Sequence, residues 1–249
     1  MRILVCSTPR SRSTIFNEYL VKKYDCHNHH EKLNFPHESS SSIHPNFFIK
    51  KSRKEFYIKK WHDQINEIFS HQAVVAKLWG TMLTYTNNYK PFICGPLSRT
   101  FPLSKADYEL DYDQQFIFQE ISKLIPFDRF DKIYYLQRDI YDVASSWFYH
   151  AMKANDMEYK FKYDCKTIIC RAVLDVLLLE KLKKFLTTTN RNIIELSFDE
   201  IPDHIKEFTY RKQPNNINYS TAIGNHDQLI DCVNECIQDY RHIDDLEFS

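Results

Sequence analysis

The stretch from Arg2 to Thr14 limits what this chain can fold into more than any other. Arg2-Ile3-Leu4-Val5-Cys6 is an apolar run of the length and content of a buried strand. Ser7-Thr8-Pro9-Arg10-Ser11-Arg12-Ser13-Thr14 follows, a turn dense in hydroxyl and guanidinium groups, and Ile15 to Leu20 opens a helical pattern. A strand that turns sharply into a helix aims unpaired backbone N–H groups and the positive end of the helix dipole at one spot. Such a spot binds anions. Arg10 and Arg12 add permanent charge in forks that match phosphate or sulfate oxygens. Ser11, Ser13 and Thr14 offer further donors. A single hydroxyl before a helix ordinarily serves as its N-cap. Capping needs only one hydroxyl, however, and two arginines at a helix N-terminus oppose the dipole unless an anion lies between them. The stretch therefore predicts an oxyanion site at the end of the first strand of an α/β fold.

No glycine precedes Gly80. That excludes a Walker A loop, whose glycines let the backbone wrap phosphates, and the glycine fingerprint of dinucleotide-binding folds. A second strand-to-helix junction lies further on. Lys132-Ile133-Tyr134-Tyr135-Leu136-Gln137 reads as a buried strand, and Arg138 to Tyr149 enters a helix. Arg138 stands at the strand end, and Ser146 lies about two helical turns on. An arginine and a serine so placed can meet a phosphate near the switch point of a parallel sheet. The alternative is an Arg–Asp surface pair on an ordinary helix.

Together the two junctions resemble the sulfotransferase family. Thr8-Pro9-Arg10-Ser11-Arg12-Ser13-Thr14 is similar to its 5′-phosphosulfate loop, with Arg12 where that family usually has glycine. Arg138 and Ser146 resemble its 3′-phosphate motif. If the Arg12 position needs a positive φ, arginine is strained there; if not, its guanidinium is available to ligand or acceptor. The resemblance implies a P-loop-like parallel sheet with helices on both faces. It implies 3′-phosphoadenosine 5′-phosphosulfate (PAPS) as donor and adenosine 3′,5′-bisphosphate (PAP) as product. Arg10, Ser11, Arg12, Ser13, Thr14, Arg138 and Ser146 would hold the donor, with Arg10 also acting in catalysis. No metal is expected, because a sulfuryl group carries less charge than a phosphoryl group and arginine supplies the rest.

Many cytosolic sulfotransferases place Lys-x-His at the end of a second core strand, with the histidine as base. Gln72 to Trp79 reads as such a strand, but its triplet is Lys77-Leu78-Trp79. In bacterial sulfotransferases that act on sugars, a glutamate at a fixed distance past the loop arginine is the proposed base; here that position is Glu31. Glu31 is the expected base, with His30 and His37 as alternates. Histidine has the better unperturbed pKa, whereas a glutamate needs burial to raise its own. A sugar hydroxyl is the acceptor this implies. The segment around Glu31 also holds Cys26, His27 and His29. A polar loop is the simple reading, since ligands so close in sequence need a distant partner to complete a tetrahedral metal site.

The chain has 249 residues, 43% hydrophobic and 27% charged, which fits one globular domain over 1–249. Formal net charge is zero, so no broad surface for nucleic acid is expected. The seven cysteines show no Cys-x-x-Cys spacing, and reduced thiols in a cytoplasmic protein are the expectation. Cys232 and Cys236 point to a shared helix face rather than a bridge. No signal peptide and no apolar run long enough to span a bilayer are seen. A small-molecule or glycan acceptor is the expected partner, and a homo-oligomer is compatible with the sequence.

Between the junctions, 50–69 reads as an amphipathic helix, Ser39 to Ser42 as loop, Lys90 to Cys94 as strand and Tyr108 to Leu124 as helix. Later come a long apolar helix from Asp164 to Phe185, a strand from Asn192 to Ser197, a short helix beyond Phe198, and a closing helix from Asp227 to Tyr240. Tyr210 to Gln213 and then Asn218 to Asn225 are a loose match to a basic segment that the family closes over the 3′-phosphate. Strand–helix alternation predicts a parallel sheet covered on both faces. Two other functions fit parts of the pattern. One is a catalytically inactive nucleotide- or glycan-binding protein of the same fold. The other is a P-loop-type kinase, which needs magnesium ligands and a lysine loop that the chain does not display.

Overall fold

A computed structural model describes residues 1–8, 10–29, 62–80, 125–154, 156–189, 191–205 and 217–241. Five strands are described: β1 (Arg2–Ser7), β2 (His27–His29), β3 (Val74–Leu78), β4 (Lys132–Gln137) and β5 (Ile193–Ser197). They form one sheet in the order β2-β3-β1-β4-β5, with every pairing parallel. The helices are α1 (Ser13–Tyr24), α2 (62–70), α3 (Ile140–Ala154), α4 (Lys166–Thr188), α5 (Ile201–Ile205), α6 (Tyr219–Ala222) and α7 (His226–Asp239).

Successive side chains of a strand point to opposite faces, so a strand buried on both faces is apolar throughout. β1 is such a strand. Ile3 and Val5 face one core with Ile15, Phe16 and Leu20 of α1 and Ile201 and Ile205 of α5. Leu4 and Cys6 face the other, with Ile65 and Ile68 of α2, Val143 and Phe148 of α3, Val173 of α4 and Val233 of α7. Both faces of the sheet are thus covered, as the strand–helix alternation predicts. Among the described residues, no helix is long and apolar enough to cross a membrane.

One expectation fails here. His27-Asn28-His29 is not loop but the edge strand β2, in register with Val74, Val75 and Ala76 of β3. The His27 N–H donates to the Ala73 carbonyl at 3.0 Å, so backbone pairing specifies this strand and apolar content does not. Of the 50–69 helix, the part from 62 is described and is helical; α4 and α7 appear within a few residues of the expected limits. Ser39 to Ser42, Lys90 to Cys94, Tyr108 to Leu124 and Tyr210 to Gln213 lie outside the described residues. Cys232 and Cys236 share the buried face of α7, and Cys236 Sγ meets Cys170 Sγ of α4 at 2.7 Å.

Gly80, just past β3, packs on the backbone of α4. A Cβ there would lie 2.0 Å from the Asp175 carbonyl oxygen and 3.1 Å from Leu179 Cγ. Neither the helix backbone nor the strand end can yield cheaply. Gly80→Ala is expected to destabilise the fold by about 3 kcal/mol, the upper end of overpacking costs, measured as a lower urea midpoint at unchanged m-value.

Candidate functional site

β1 is central, with β3 on one side and β4 on the other. Ligands of open parallel sheets collect beyond the carboxyl ends of the strands at such a switch in direction. Both sequence junctions end there. Arg10 and Arg12 each take a left-handed backbone, φ 67° and φ 59°. The Arg12 position therefore does adopt the conformation that glycine favours, and arginine pays about 1 kcal/mol to occupy it.

Arg12 is also the N-cap position of α1, yet no side chain caps this helix and its first turn holds no acidic residue. Ser11 is fully buried and donates to the Thr8 carbonyl at 2.6 Å, closing the turn on itself. Ser13 is buried and Thr14 exposed. Ser7 Oγ and Thr8 Oγ1 are buried with no hydrogen-bond partner. Capping thus does not account for this cluster of hydroxyls.

Arg138 joins the two junctions. Its guanidinium donates a hydrogen bond to the Arg10 carbonyl. It also stacks 4.2 Å from the centre of the Phe198 ring, while Arg12 stacks on the same ring at 3.9 Å and donates to the Phe198 carbonyl at 2.9 Å. Arg138 Nε is buried without a hydrogen-bond partner. The Phe198 N–H is held by the Gln137 carbonyl at 2.9 Å, so the residue after β5 is pinned beside the residue before Arg138. Two cations share one ring face region, which is tolerable because aromatic stacking suits guanidinium and Asp199 lies close by. Burial lowers the Arg12 pKa, Asp199 opposes that shift, and Arg138 adds to it. Burial likewise lowers the pKa of Arg10, although part of its side chain is open to solvent. Both remain cations at neutral pH.

Arg12 and Arg138 line a cavity of about 900 Å³ with Asp139, Ser145, Phe198, Asp199, Tyr219 and His226 among its walls. Asp139 is committed to its own helix: its carboxylate accepts from the Tyr141 and Asp142 N–H groups at 2.9 and 3.2 Å. The α3 terminus is thereby capped, and an anion at this junction meets the Arg138 side chain rather than the helix end. Ser146 is buried and donates to the Tyr219 hydroxyl at 3.1 Å; its neighbour Ser145 lines the cavity, 3.4 Å from His226 Nε2.

Phe198, Ser145, His226 and His150 were not singled out from the sequence, whereas Tyr219 lies in the tail stretch offered as a loose match to the segment over the 3′-phosphate. His150 lies one helical turn past Ser146 on α3. Its pKa is pushed down to about 4 by burial first, then by Arg10, Lys153 and Arg138. The imidazole is therefore neutral at pH 7. With a folded pKa below the ordinary value near 6.5, its contribution to stability is complete above that value and is lost as pH falls toward about 4. We expect Arg10→Gln to raise the His150 pKa, read by NMR of the imidazole protons. An unchanged titration would show that Arg10 does not approach α3.

Glu31, His30 and His37, the expected base and its alternates, lie outside the described residues. Arg10, Arg12 and Arg138 are brought together; Ser11 sits in the turn between Arg10 and Arg12, and Ser13 and Thr14 open α1. No family model matches the chain, and no curated protein matches its sequence.

Proposed function

We propose that the chain is a sulfotransferase that moves a sulfuryl group from PAPS to an acceptor hydroxyl on a carbohydrate. The observation that carries this reading is the meeting of the two junctions: Arg138 bonds the Arg10 carbonyl and shares Phe198 with Arg12 beside one cavity. Three cations at the carboxyl ends of β1 and β4 suit a ligand with two separated phosphates. Phosphate oxygens are the chemistry that the buried hydroxyls of Ser7 and Thr8 and the Arg138 Nε lack as partners.

In this reading Arg10, Ser13, Thr14, the backbone of Ser11, whose hydroxyl closes the turn, and the uncapped start of α1 hold the 5′-phosphate and neutralise charge as it leaves. Arg138 holds the 3′-phosphate, and so fixes the donor for in-line attack. Ser146 joins it by turning from Tyr219, or Ser145 serves from the cavity wall. The acceptor oxygen forms a bond to sulfur as the sulfur–oxygen bond to the 5′-phosphate breaks. The acceptor proton passes to Glu31, or to His30 or His37.

A second reading is a protein of this kind that binds without turnover. It is favoured by Arg12, whose strained backbone and engagement with Phe198 differ from a glycine-bearing donor loop. Incubation with sulfur-labelled donor and pooled sugar acceptors distinguishes the two. Label transfer that is lost in Arg10→Ala supports the enzyme. No transfer by a chain that still binds PAP selects the binder.

A further inference from the structure

Three histidines converge at the opposite end of the sheet from the arginine cavity. His27 and His29 alternate with Asn28 on the edge strand β2 and so share one of its faces. His71 lies in the turn between α2 and β3. Parallel pairing sets His27 against Val74 and His29 against Ala76, which brings the turn alongside both. The backbones are held: the His27 N–H by the Ala73 carbonyl at 3.0 Å, the His71 N–H by the Ile68 carbonyl at 3.4 Å. The ring centres are 4.1 Å apart for His27 and His71, 4.8 Å for His27 and His29, and 5.1 Å for His29 and His71. One ring nitrogen from each lies within 4.8 Å of the others.

We propose that His27, His29 and His71 form a binding site for a divalent first-row transition metal, with zinc as the type ion. Imidazole nitrogen suits zinc, nickel, copper and cobalt, and three histidines with one open position are an established zinc arrangement. Zinc–nitrogen bonds of about 2.0–2.1 Å put tetrahedral ligand nitrogens roughly 3.4 Å apart. The ligand nitrogens, now within 4.8 Å of one another, must draw together to reach that spacing. His27 and His71 must leave their parallel stack, and His27, exposed at the edge, is free to turn. Its exposure also leaves water access to the fourth position. His71 is the distant partner that the Cys26–His29 segment lacks when read by itself.

The site does not depend on the sulfotransferase reading. His27 is level with the first residue of β3, whereas Arg10 and Arg138 follow the last residues of β1 and β4. A bound ion would tie the edge strand to the turn that leads into its neighbour, and so close the segment between residues 29 and 71. A clip on a segment of that length restricts the unfolded chain. It also stabilises the fold by mass action.

The test uses the full, tag-free chain, stripped with chelator and dialysed. Cobalt absorption gives the coordination, and zinc competition against a chromophoric chelator gives stoichiometry and affinity. The expected result is one equivalent of zinc, affinity lowered more than about tenfold in both His27→Ala and His71→Ala, and no change in His204→Ala. His204 is an exposed histidine on α5, outside the cluster. Zinc at about a hundred times its Kd should raise the melting temperature of the native sequence by roughly 5–10 °C and that of His27→Ala by much less. If His71→Ala does not fold, the exposed His27→Ala variant decides alone. No zinc uptake by the native chain, or equal affinity in His27→Ala, overturns the proposal.

Discussion

Arg138→Ala is expected to weaken adenosine 3′,5′-bisphosphate by about 1.5–3 kcal/mol, roughly ten- to 150-fold in Kd. The guanidinium ties the two junctions: it donates to the Arg10 carbonyl and stacks on Phe198 and, at 5.7 Å, on Tyr219. Its removal deletes a charged donor and leaves the Arg10 carbonyl without that bond. Arg138→Lys keeps the charge but loses the planar fork and the ring stacking, so it should fall between the native chain and alanine. Because Arg138 also braces the loop, melting temperatures must accompany the titrations. A loss of affinity in a variant that melts close to the native chain assigns the effect to the ligand. An unchanged Kd removes Arg138 from the site.

The largest loss of stability is expected for Phe148→Ala. Phe148 is fully buried on α3, and its ring meets Phe161 edge to face at 5.5 Å. It belongs to the same core as Leu4 and Cys6 of the central strand and Val173 of α4. Truncation removes the transfer free energy of a benzyl group and leaves a cavity that packed neighbours on the sheet and α4 fill only in part. The expected cost is about 3–5 kcal/mol, a large share of the roughly 5–15 kcal/mol that holds a domain together. Urea unfolding should show this as a lower midpoint. A cost under about 1 kcal/mol would mean that α3 is not packed on the sheet as described.

Much of the frame was legible because burial on two faces leaves a plain mark. Ile3 to Cys6 and Ile133 to Leu136 are continuous apolar runs, and each ends in a cationic turn. Edge strand β2 was not legible. His27-Asn28-His29 carries no apolar signal, and its strand character comes from pairing with β3, a contact remote in sequence. The site divides in the same way. Arg10, Arg12 and Arg138 announce themselves by charge at strand ends. Phe198 and Tyr219 come from later segments, and only the folded sheet brings them under the arginines. Ser146 was read by spacing, which fixes its distance along α3 but not that Tyr219 meets its hydroxyl. The conformation of Arg12 was posed by the sequence as an alternative, and the turn resolves it at φ 59°.

Calorimetric titration of the native chain with adenosine 3′,5′-bisphosphate and, separately, with ATP and magnesium tests the central claim most directly. Arginines from two strand ends beside one cavity predict one bisphosphate per chain, bound more tightly than ATP with magnesium and weakened in Arg138→Ala. Binding of ATP with magnesium and none of the bisphosphate would contradict the account.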